Sequence, residues 1–414
     1  MKPLSFFRLK TREEVLALYQ RFSPLDAEEV ALLDAAGRVV AAEIRAPEDI
    51  PPFPRASMDG YAVRAQDTFG ATPGSPQYLT IIGEVAMGAV PDRQVAPGEA
   101  LRLPTGAMLP PGADAVVMVE YTAEHPDLTL EVRRPVAPGE NVLQPGEDVP
   151  QGEALFSAGR RLRPQDIGLL AALGIISIPV HRRPLTAVIS SGDEIVPVSQ
   201  TPGPAQVRDS NAYLASAWVE LLGGAPFLWG IVPDDYRALK NSLAGALAEA
   251  DLILISGGSS VGVRDLTMEA IQALPGAEIL VHGVAIRPGK PTILAAVSGK
   301  PLLGLPGHPA SAAVVMHVLG RPLLARLAGL SDYQTDRGGC VRARLSRNLA
   351  GAIGREDFVR VRLREEDGTL WADPILGSSG LLSPMVKSDG LVVIPLGVEG
   401  LSRGEEVSVQ LFHC

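Results

Sequence analysis

The 414-residue sequence is poor in the residues that build disulfide frameworks and transition-metal centres. It contains only two cysteines, Cys340 and Cys414. This count excludes a disulfide scaffold, a CxxC zinc site and a protein-held iron–sulfur cluster. Its six histidines show no HxxxH or HxH spacing, which argues against a transition-metal site built from histidine.

Long apolar runs and an excess of positive charge are also missing. No run of about 18 apolar residues occurs, and the N-terminus "MKPLSFFRLKTREEVLALYQ" becomes charged too early for a signal peptide. The net charge of −10 does not attract nucleic acid or an anionic membrane. We therefore expect a soluble cytoplasmic protein with no nucleic-acid or membrane partner, in which a local basic cluster holds any anionic ligand.

The chain length predicts two to four domains. Short β-like runs bounded by Pro, Gly or Asp fill residues 47–145, which indicates an all-β module, and alternating strands return in 339–414. Residues 184–328 alternate apolar strands with helices, the pattern of a mainly parallel sheet covered on both faces. Helices are predicted at 11–22, 26–36, 164–173, 210–222, 234–250, 266–274 and 309–328.

Polar turns follow the predicted strands of the α/β region, where open sheets of this class bind their ligands. They read "SGDEI" (191–195), "GGSSVGVRD" (257–265), "RPGKP" (287–291) and "GHPAS" (307–311). Four such turns at one edge are more than is needed simply to end the strands. The sequence therefore predicts a ligand site at the carboxyl edge of this sheet.

Several of these turns suit an anion. The glycines of "GGSSVGVRD", Gly257 and Gly258 among them, let backbone N–H groups face a ligand, and Ser259 and Ser260 add hydroxyl donors. Arg287 and Lys290 are two cations in a loop stiffened by prolines. "GHPAS" offers Ser311 and N–H groups at a helix start. Each turn also has a plain structural interpretation, respectively a tight βα connection, a solvated loop and an N-cap.

The same turns carry acids: Asp193, Glu194, Asp209 and Asp265. Carboxylates are costly beside phosphates unless a divalent cation lies between them, so a magnesium ion would reconcile the two. Helix capping is the alternative for Asp209 and Asp265, since each stands near a predicted helix start. In the β module, turn chemistry alone accounts for Asp59 in "SMDGYAVR" and Thr105 in "PTGAMLPPGADAVVMVE".

Taken together, these stretches resemble one known family. "SMDGYAVR", "PTGAMLPPGADAVVMVE", "SGDEI", "RDSN", "SGGSSVGVRD", "RPGKP" and "LPGHPASA" occur in the order and spacing of the molybdopterin molybdenumtransferases, which include bacterial MoeA and the E domain of gephyrin. The likeness covers essentially the whole chain and extends to "GREDFVRVRL" and "SSGLLSPMVKSDGLVVIP" in the tail.

The resemblance implies an α/β multidomain fold in four parts. A doubly wound molybdopterin-binding α/β domain would comprise 1–26 and 181–330, and a discontinuous linking domain 27–46 and 146–180. A β module would span 47–145 and a C-terminal β-barrel-like domain 331–414. It also implies a homodimer in which Asp59 and Thr105 of one chain lie opposite Asp209 and Asp265 of the other. Transient contact with a molybdopterin adenylyltransferase is a further implication.

The implied reaction inserts molybdate into adenylylated molybdopterin, with Mg²⁺-dependent release of AMP. Carried over by residue, the resemblance assigns catalysis to Asp59, Thr105, Glu194, Asp209 and Asp265, the last three also as metal ligands. It assigns cofactor binding to Gly257, Gly258, Ser259, Ser260, Arg287, Lys290, Pro291, Pro306, Pro309, Arg355, Ser378 and Ser379. Two residues depart from the usual pattern: Arg287 replaces a frequent Lys, and His308 replaces a frequent Asn, which opens the question of a pH-dependent activity.

Three other functions compete with this one. The related adenylyltransferase shares the α/β domain but normally lacks the additional β domains. A binding scaffold such as gephyrin uses extra domains and a long linker that this chain does not have. A dinucleotide or sugar-nucleotide enzyme is disfavoured because no GxGxxG follows the first strand of the α/β region. The sequence does not decide between molybdate and tungstate, which are tetrahedral dianions of similar size.

Overall fold

The structure, a computed structural model, describes residues 9–257, 261–335 and 338–412, and it describes the side chains of helix Val261–Gln272 from residue 266 onward. The described chain forms two compact units. One consists of 9–42, 158–167 and 176–412, and the other of 43–157 and 168–175. The four-domain division implied by the resemblance stays a prediction.

The first helix, α1 (Arg12–Leu18), begins at the capping box that its sequence predicts. The Thr11 hydroxyl accepts a hydrogen bond from the Glu14 N–H, and the Glu14 carboxylate accepts one from the Thr11 N–H. A 3₁₀ turn, Tyr19–Arg21, follows. The helix predicted at 26–36 is wrong, because strand β1 (Ala27–Ala31) and a 3₁₀ turn (Leu32–Ala35) occupy it.

The second unit is built from short strands, which confirms the all-β prediction for this region. In chain order they are β2 (Ile44–Arg45), β3 (Arg55–Ala56), β4 (Gly60–Val63), β5 (Gln77–Glu84), β6 (Glu99–Leu103), β7 (Ala115–Met118), β8 (Thr122–Glu124), β9 (Thr129–Val132), β10 (Val142–Leu143) and β11 (Ala154–Phe156). Six of them form one sheet in the order β7-β4-β6-β5-β9-β8, while β3 pairs with β10 and β2 with β11. Buried clusters that include Leu130 and Leu101 pack around this sheet.

Helix α2 (Pro164–Ala172) and strand β12 (Ser177–His181) follow. Strand β12 pairs with β1 in antiparallel register along all five residues of each strand. This pairing explains why the 26–36 segment is not a helix: helix propensity is a weak preference that a tertiary partner strand overrides.

The α/β region contains a six-stranded sheet. The strands of the region are β13 (Leu185–Ser191), β14 (Ile195–Val196), β15 (Val207–Arg208), β16 (Ala225–Val232), β17 (Leu252–Gly257), β18 (Ala277–His282), β19 (Ile286–Arg287), β20 (Ile293–Val297) and β21 (Lys300–Leu305). Of these, β14 and β15 pair with each other and β19 pairs outside the sheet. The helices of the region are α3 (Ser210–Leu221), α4 (Tyr236–Glu249), α5 (Val261–Gln272), α6 (Pro309–Val315) and α7 (Arg321–Leu327). The sheet order is β16-β13-β17-β21-β20-β18, parallel across the first four strands and antiparallel across the last three.

Both faces of this sheet are covered, as the apolar strands predict. Along β17, Leu252 and Leu254 pack into a cluster with residues of α1, α3, α6 and α7. The alternate residues Ile253 and Ile255 pack into a second cluster with α4 and α5. The period of two along a strand thus places two helical layers on opposite faces.

The C-terminal region is a closed five-stranded barrel. The strands of the region are β22 (Cys340–Leu345), β23 (Leu349–Ala350), β24 (Glu356–Glu366), β25 (Thr369–Pro374), β26 (Gly390–Ile394), β27 (Gly400–Leu401) and β28 (Glu406–Leu411), with the short helix α8 (Ser383–Val386). Strands β23 and β27 pair with each other outside the barrel. The barrel closes because the order β24-β25-β22-β28-β26 returns to β24 by a β24–β26 pairing. Strand β19 pairs with β24 in parallel, which joins the barrel to the α/β region.

Among the described residues, one helical stretch has the length and hydropathy of a membrane-spanning segment. It runs from Pro309 to Leu327 through α6, a π-helical turn (Met316–Gly320) and α7. Within it, 94% of the apolar window is buried inside the protein. Its Leu319 and Leu323 belong to the same core cluster as Val15 of α1 and Phe412 beside the barrel.

Candidate active site

The structure places three of the predicted polar turns at one edge of the sheet. Strands β13, β17 and β21 are parallel neighbours, so the turns that follow them start side by side. Ser191 at the end of β13 lies opposite Gly257 in register, and Ser256 lies opposite Leu305 at the end of β21. The sequence-based expectation of a shared edge agrees with this register.

Gly257 occupies a position that only glycine fits. Its φ is +143°, and a Cβ there would lie 2.1 Å from the backbone oxygen of Ser191. The close approach of the two strand ends is therefore possible only without a side chain. Gly258, Ser259 and Ser260, the remaining predicted residues of this turn, lie outside the described residues. Asp265 lies in α5, where its side chain is outside the described ones.

A cavity of about 560 Å³ opens between this sheet edge and the barrel. Its lining contains seven of the predicted cofactor-binding residues: Gly257, Arg287, Lys290, Pro291, Pro306, Arg355 and Ser379. Pro309, Ser378, Glu194 and Asp209 are not among its lining residues. The cavity therefore brings together the "RPGKP" loop, the "GHPAS" turn and two segments of the barrel.

The "RPGKP" loop is held by its own backbone and by close packing. The Thr292 hydroxyl donates to the Gly289 carbonyl at 2.6 Å, and the Lys290 carbonyl accepts from the Val284 N–H at 2.9 Å. Gly289 has a φ of +123°, and a Cβ there would lie 2.8 Å from a methyl carbon of Val315. The exposed Lys290 side chain is thus presented from a well-supported backbone.

Charge in the lining is strongly unbalanced. Among the side chains that the structure describes, four cations line the cavity, namely Arg287, Lys290, Arg355 and Arg360, against one lining carboxylate, Asp357. Asp357 is 1% exposed, and its Oδ1 lies 3.1 Å from the Nε of both Arg287 and Arg355. One carboxylate cannot neutralise four cations, so the described part of the lining carries a surplus of positive charge in a protein whose net charge is −10. Such a site suits a ligand with several negative charges.

The start of α6 is tied to the barrel loop that contains Ser379. The Ser379 hydroxyl lies 2.8 Å from Nδ1 of His308, and the Ser379 carbonyl accepts a hydrogen bond from the Ala310 N–H. The Ala310 N–H, one of the helix-start N–H groups predicted to bind an anion, is therefore already hydrogen-bonded within the protein. His308 makes no side-chain capping bond to α6, while Ser311 is buried and lines the cavity.

The predicted metal ligands occupy different settings. Asp209 caps α3, with its Oδ1 accepting from the Ala212 N–H at 3.1 Å, so the capping alternative is realised. Glu194 lies in the turn after β13, where its carbonyl accepts from the Val207 N–H. Within the part of the chain that the structure describes, no three His, Cys, Asp or Glu side chains form a metal-binding group. Since the Asp265 side chain is outside that part, the magnesium site stays a prediction.

The second unit brings Asp59 and Thr105 into direct contact. One oxygen of the Asp59 carboxylate accepts hydrogen bonds from the Thr105 N–H at 2.7 Å and from its hydroxyl at 2.8 Å. The backbone bond first, and the hydroxyl bond second, lower the pKa of Asp59 below its usual range. The two residues are 46 positions apart and are both exposed.

The sequence analysis missed two charged lining residues, Asp357 and Arg360. Both lie in "GREDFVRVRL", a stretch that contributes to the resemblance. Arg355 is the one residue of this stretch that was predicted to belong to the site. The residue types contained a signal, because an acid among several arginines predicts an ion pair. What the pattern could not indicate is which arginine of β24 is buried: Arg360 is 8% exposed, whereas Arg362 on the same strand is exposed.

Three family models together match most of the chain. Residues 10–174 match the model described as "MoeA N-terminal region (domain I and II)". Residues 187–326 match "Probable molybdopterin binding domain", and residues 342–412 match "MoeA C-terminal region (domain IV)". The first and third matches cover regions that a single α/β domain does not contain.

Individual relatives agree with these models. The molybdopterin molybdenumtransferase of Nostoc sp. is 35% identical over 392 residues, covering 94% of this chain and 89% of the relative. That of Bacillus subtilis is 32% identical over 392 residues, covering 94% and 90%. The solved structure of the molybdopterin biosynthesis moeA protein from Pyrococcus horikoshii is similar with a TM-score of 0.85 and 35% identity, covering 98% of this chain and 100% of that one.

Proposed function

The chain belongs to the molybdopterin molybdenumtransferase family, and from this premise we propose that it inserts molybdate into adenylylated molybdopterin with Mg²⁺-dependent release of AMP. It is a transferase of molybdenum cofactor biosynthesis. Molybdopterin and molybdate are its substrates in this proposal. The adenylyl group, the magnesium ion and the released AMP each require their own experimental test.

The surplus of positive charge in the cavity is the observation that carries this proposal. Adenylylated molybdopterin brings a pyrophosphate and molybdate brings two further charges, so both substrates are anionic. Arg287 at the end of β19 and Lys290 in the loop after it are exposed cations, and Arg355 adds a third from the barrel region. Lysine acts as a point charge and arginine as a planar fork, and both bind tetrahedral oxyanions.

The predicted magnesium ligands fit that ion by chemistry. Glu194 and Asp209 supply carboxylate oxygens, the ligands that Mg²⁺ prefers, and Asp265 completes the predicted set. When bound, the ion would neutralise charge on the pyrophosphate link. In this proposal the protein's own groups bind and orient: the turn after Gly257 holds the pyrophosphate by its N–H groups, and Lys290 holds the molybdate.

The direct test incubates purified protein with adenylylated molybdopterin, Mg²⁺ and molybdate and follows AMP by chromatography. We expect AMP release that requires all three components. Absence of AMP release would contradict the proposal. Conversion of molybdopterin and ATP into the adenylylated form would instead favour the adenylyltransferase activity.

Two substitutions test the carboxylates without removing a helix cap. Asparagine caps helices about as well as aspartate, so Asp209→Asn keeps the α3 cap and removes the charge. We expect Asp209→Asn and Asp265→Asn to abolish AMP release while the fold is kept. The matched control is Asp235→Asn, because Asp235 caps α4 in the same way and is not one of the predicted metal ligands. If both variants release AMP at nearly the wild-type rate, Asp209 and Asp265 do not bind the metal.

A homodimer is part of the same proposal, as is transient contact with the adenylyltransferase that supplies the substrate. Light scattering of the purified chain measures its mass directly, and we expect twice the 43.6 kDa of one chain. A mass of one chain at the concentration used for activity would contradict the homodimer. Handover of the substrate is tested by adding the adenylyltransferase to the AMP-release assay.

A further inference from the structure

The four lining cations fall into two groups. Arg287 and Arg355 share the buried carboxylate of Asp357, which neutralises part of their charge and fixes their Nε atoms. Within the described residues, neither Lys290 nor Arg360 forms an ion pair. Lys290 is exposed, so water solvates its charge, but Arg360 is 8% exposed and has little water around it. Arg360 is therefore the cation whose charge is least compensated.

Arg360 is held in place at one nitrogen and unsatisfied at another. Its Nη2 donates a hydrogen bond to the Gly377 carbonyl at 2.8 Å. Its Nη1 is buried and has no hydrogen-bond partner among the described residues. Burial lowers the pKa of this guanidinium, as expected for a charge removed from water, but arginine stays protonated at neutral pH.

A buried, unpaired charge is costly, and a bound ion is one of the few explanations for an unsatisfied buried polar group. Arg360 is placed for this role because it lines the cavity beside Phe358 and Gly377. Arg360 is also connected to the loop that contains Ser379. Its side chain donates to the Gly377 carbonyl, and its own carbonyl accepts from the Ile375 N–H. The guanidinium is thus preorganised before any ligand arrives.

We propose that Arg360 is a further anion-binding residue of this cavity, and that its Nη1 and its buried charge hold a tetrahedral oxyanion together with Lys290. The inference rests on the proposed function, which supplies two oxyanions of this class: molybdate and the phosphate of the nucleotide. Arg287 and Arg355, already paired with Asp357, bind the remaining negative charge.

Calorimetric titration of the full chain with molybdate alone, and separately with AMP alone, tests this role. The variants are Arg360→Gln, which removes the charge and keeps a donor for Gly377, and Arg360→Lys, which keeps the charge and removes the fork. Arg362→Gln is the matched control, because Arg362 lies two residues along the same strand, is exposed and does not line the cavity.

We expect Arg360→Gln to weaken binding of one of the two anions roughly tenfold or more, the loss typical of one hydrogen bond to a charged group. The anion affected identifies the source of the oxyanion. Arg360→Lys should lose less affinity for that anion than Arg360→Gln does. Arg362→Gln should keep the wild-type affinity. If Arg360→Gln does not fold, the affinity of the Arg360→Lys variant in the same titration tests the role of Arg360.

Two results would overturn the inference in different ways. If wild type binds molybdate or AMP and the folded Arg360 variants bind both equally well, Arg360 has no role while the proposed function stands. If wild type binds neither anion, the proposed function itself fails, and the inference fails with it.

Discussion

Thr105 donates two hydrogen bonds to a single oxygen of Asp59, one from its backbone N–H and one from its hydroxyl. Both bonds favour the charged carboxylate and lower its pKa. The sequence placed these residues in two separate turns and offered turn chemistry for each. Only the pairing of β4 with β6, in which Gly60 lies opposite Leu103, brings the two turns together.

Replacing Thr105 with valine is expected to raise the pKa of Asp59 toward its usual value without reaching it. The hydroxyl donor is lost, but the backbone N–H, the larger of the two causes, remains. The pKa is measured by NMR titration of the Asp59 carboxyl carbon. Thr105→Ser, which keeps the hydroxyl, should leave the pKa low; an unchanged pKa in Thr105→Val would show that the hydroxyl does not contribute.

Lys290→Ala is expected to raise the molybdate concentration that half-maximal AMP release requires, by roughly tenfold, because it removes one charge-assisted contact. The maximal rate should change less than this concentration does, since the contact is made to the bound substrate. Lys387→Ala is the control, as Lys387 is exposed and does not line the cavity. An unaltered molybdate dependence would remove Lys290 from the oxyanion site.

Gly257→Ala is expected to lower the free energy of unfolding by roughly 3 kcal/mol, from backbone strain and the clash with Ser191. The added Cβ would lie 2.1 Å from the Ser191 oxygen, so the ends of β13 and β17 must separate. Gly299→Ala provides the comparison, since Gly299 also has a positive φ but has nothing within 4 Å of the new carbon. Urea denaturation measures both, and equal losses would show that the close approach is unimportant.

Buried His317 is expected to make the protein less stable in acid. Burial, and then the nearby Arg321, lower the pKa of His317 from 6.5 to about 4. Above pH 6.5 the ring is neutral in both the folded and the unfolded state, so it has no effect. As the pH falls from 6.5 to about 4 the unfolded chain takes up a proton that the folded chain does not, which lowers the free energy of unfolding by roughly 3 kcal/mol.

His317→Phe tests this origin of acid sensitivity. The ring packs edge-on against Trp218 and Phe412, so phenylalanine suits the aromatic surroundings. Denaturation at pH 7 and pH 4.5 should show a smaller loss of stability in this variant than in wild type. An identical loss in the two proteins would assign the acid sensitivity to other groups.

Much of the fold could be predicted because its signals are local. Apolar runs such as "DLILIS" mark buried parallel strands, and the Gly, Ser and Pro turns after them mark the carboxyl edge of a sheet. The resemblance then predicted the identity of the ligand, which the spacing of the turn residues alone could not indicate. Arg287 and Lys290 followed from charge type and loop chemistry, whereas Arg355 and Ser379 followed from the resemblance. Seven of the predicted cofactor-binding residues line one cavity.

The failures have a common cause, which is dependence on a distant partner. Residues 27–31 carry a helical pattern but form a strand, because residues 177–181 offer a complete antiparallel register. The arginines at 360 and 362 look alike in the sequence, and only closure of the barrel against the α/β region buries the first and leaves the second exposed. In the same way, Asp357 acquires Arg287 as a partner, besides the neighbouring Arg355, only because β19 lies beside β24.

The sequence by itself thus determined the class of most regions, and it predicted the sheet edge of the site and an anionic ligand there. These properties depend on periodicity, turn residues and charge, which act over a few positions. Tertiary structure decided which cations are neutralised, which are buried and which carboxylate is held by which donor. Those outcomes depend on electrostatic and desolvation energies, and these are set by distances between residues that the sequence keeps far apart.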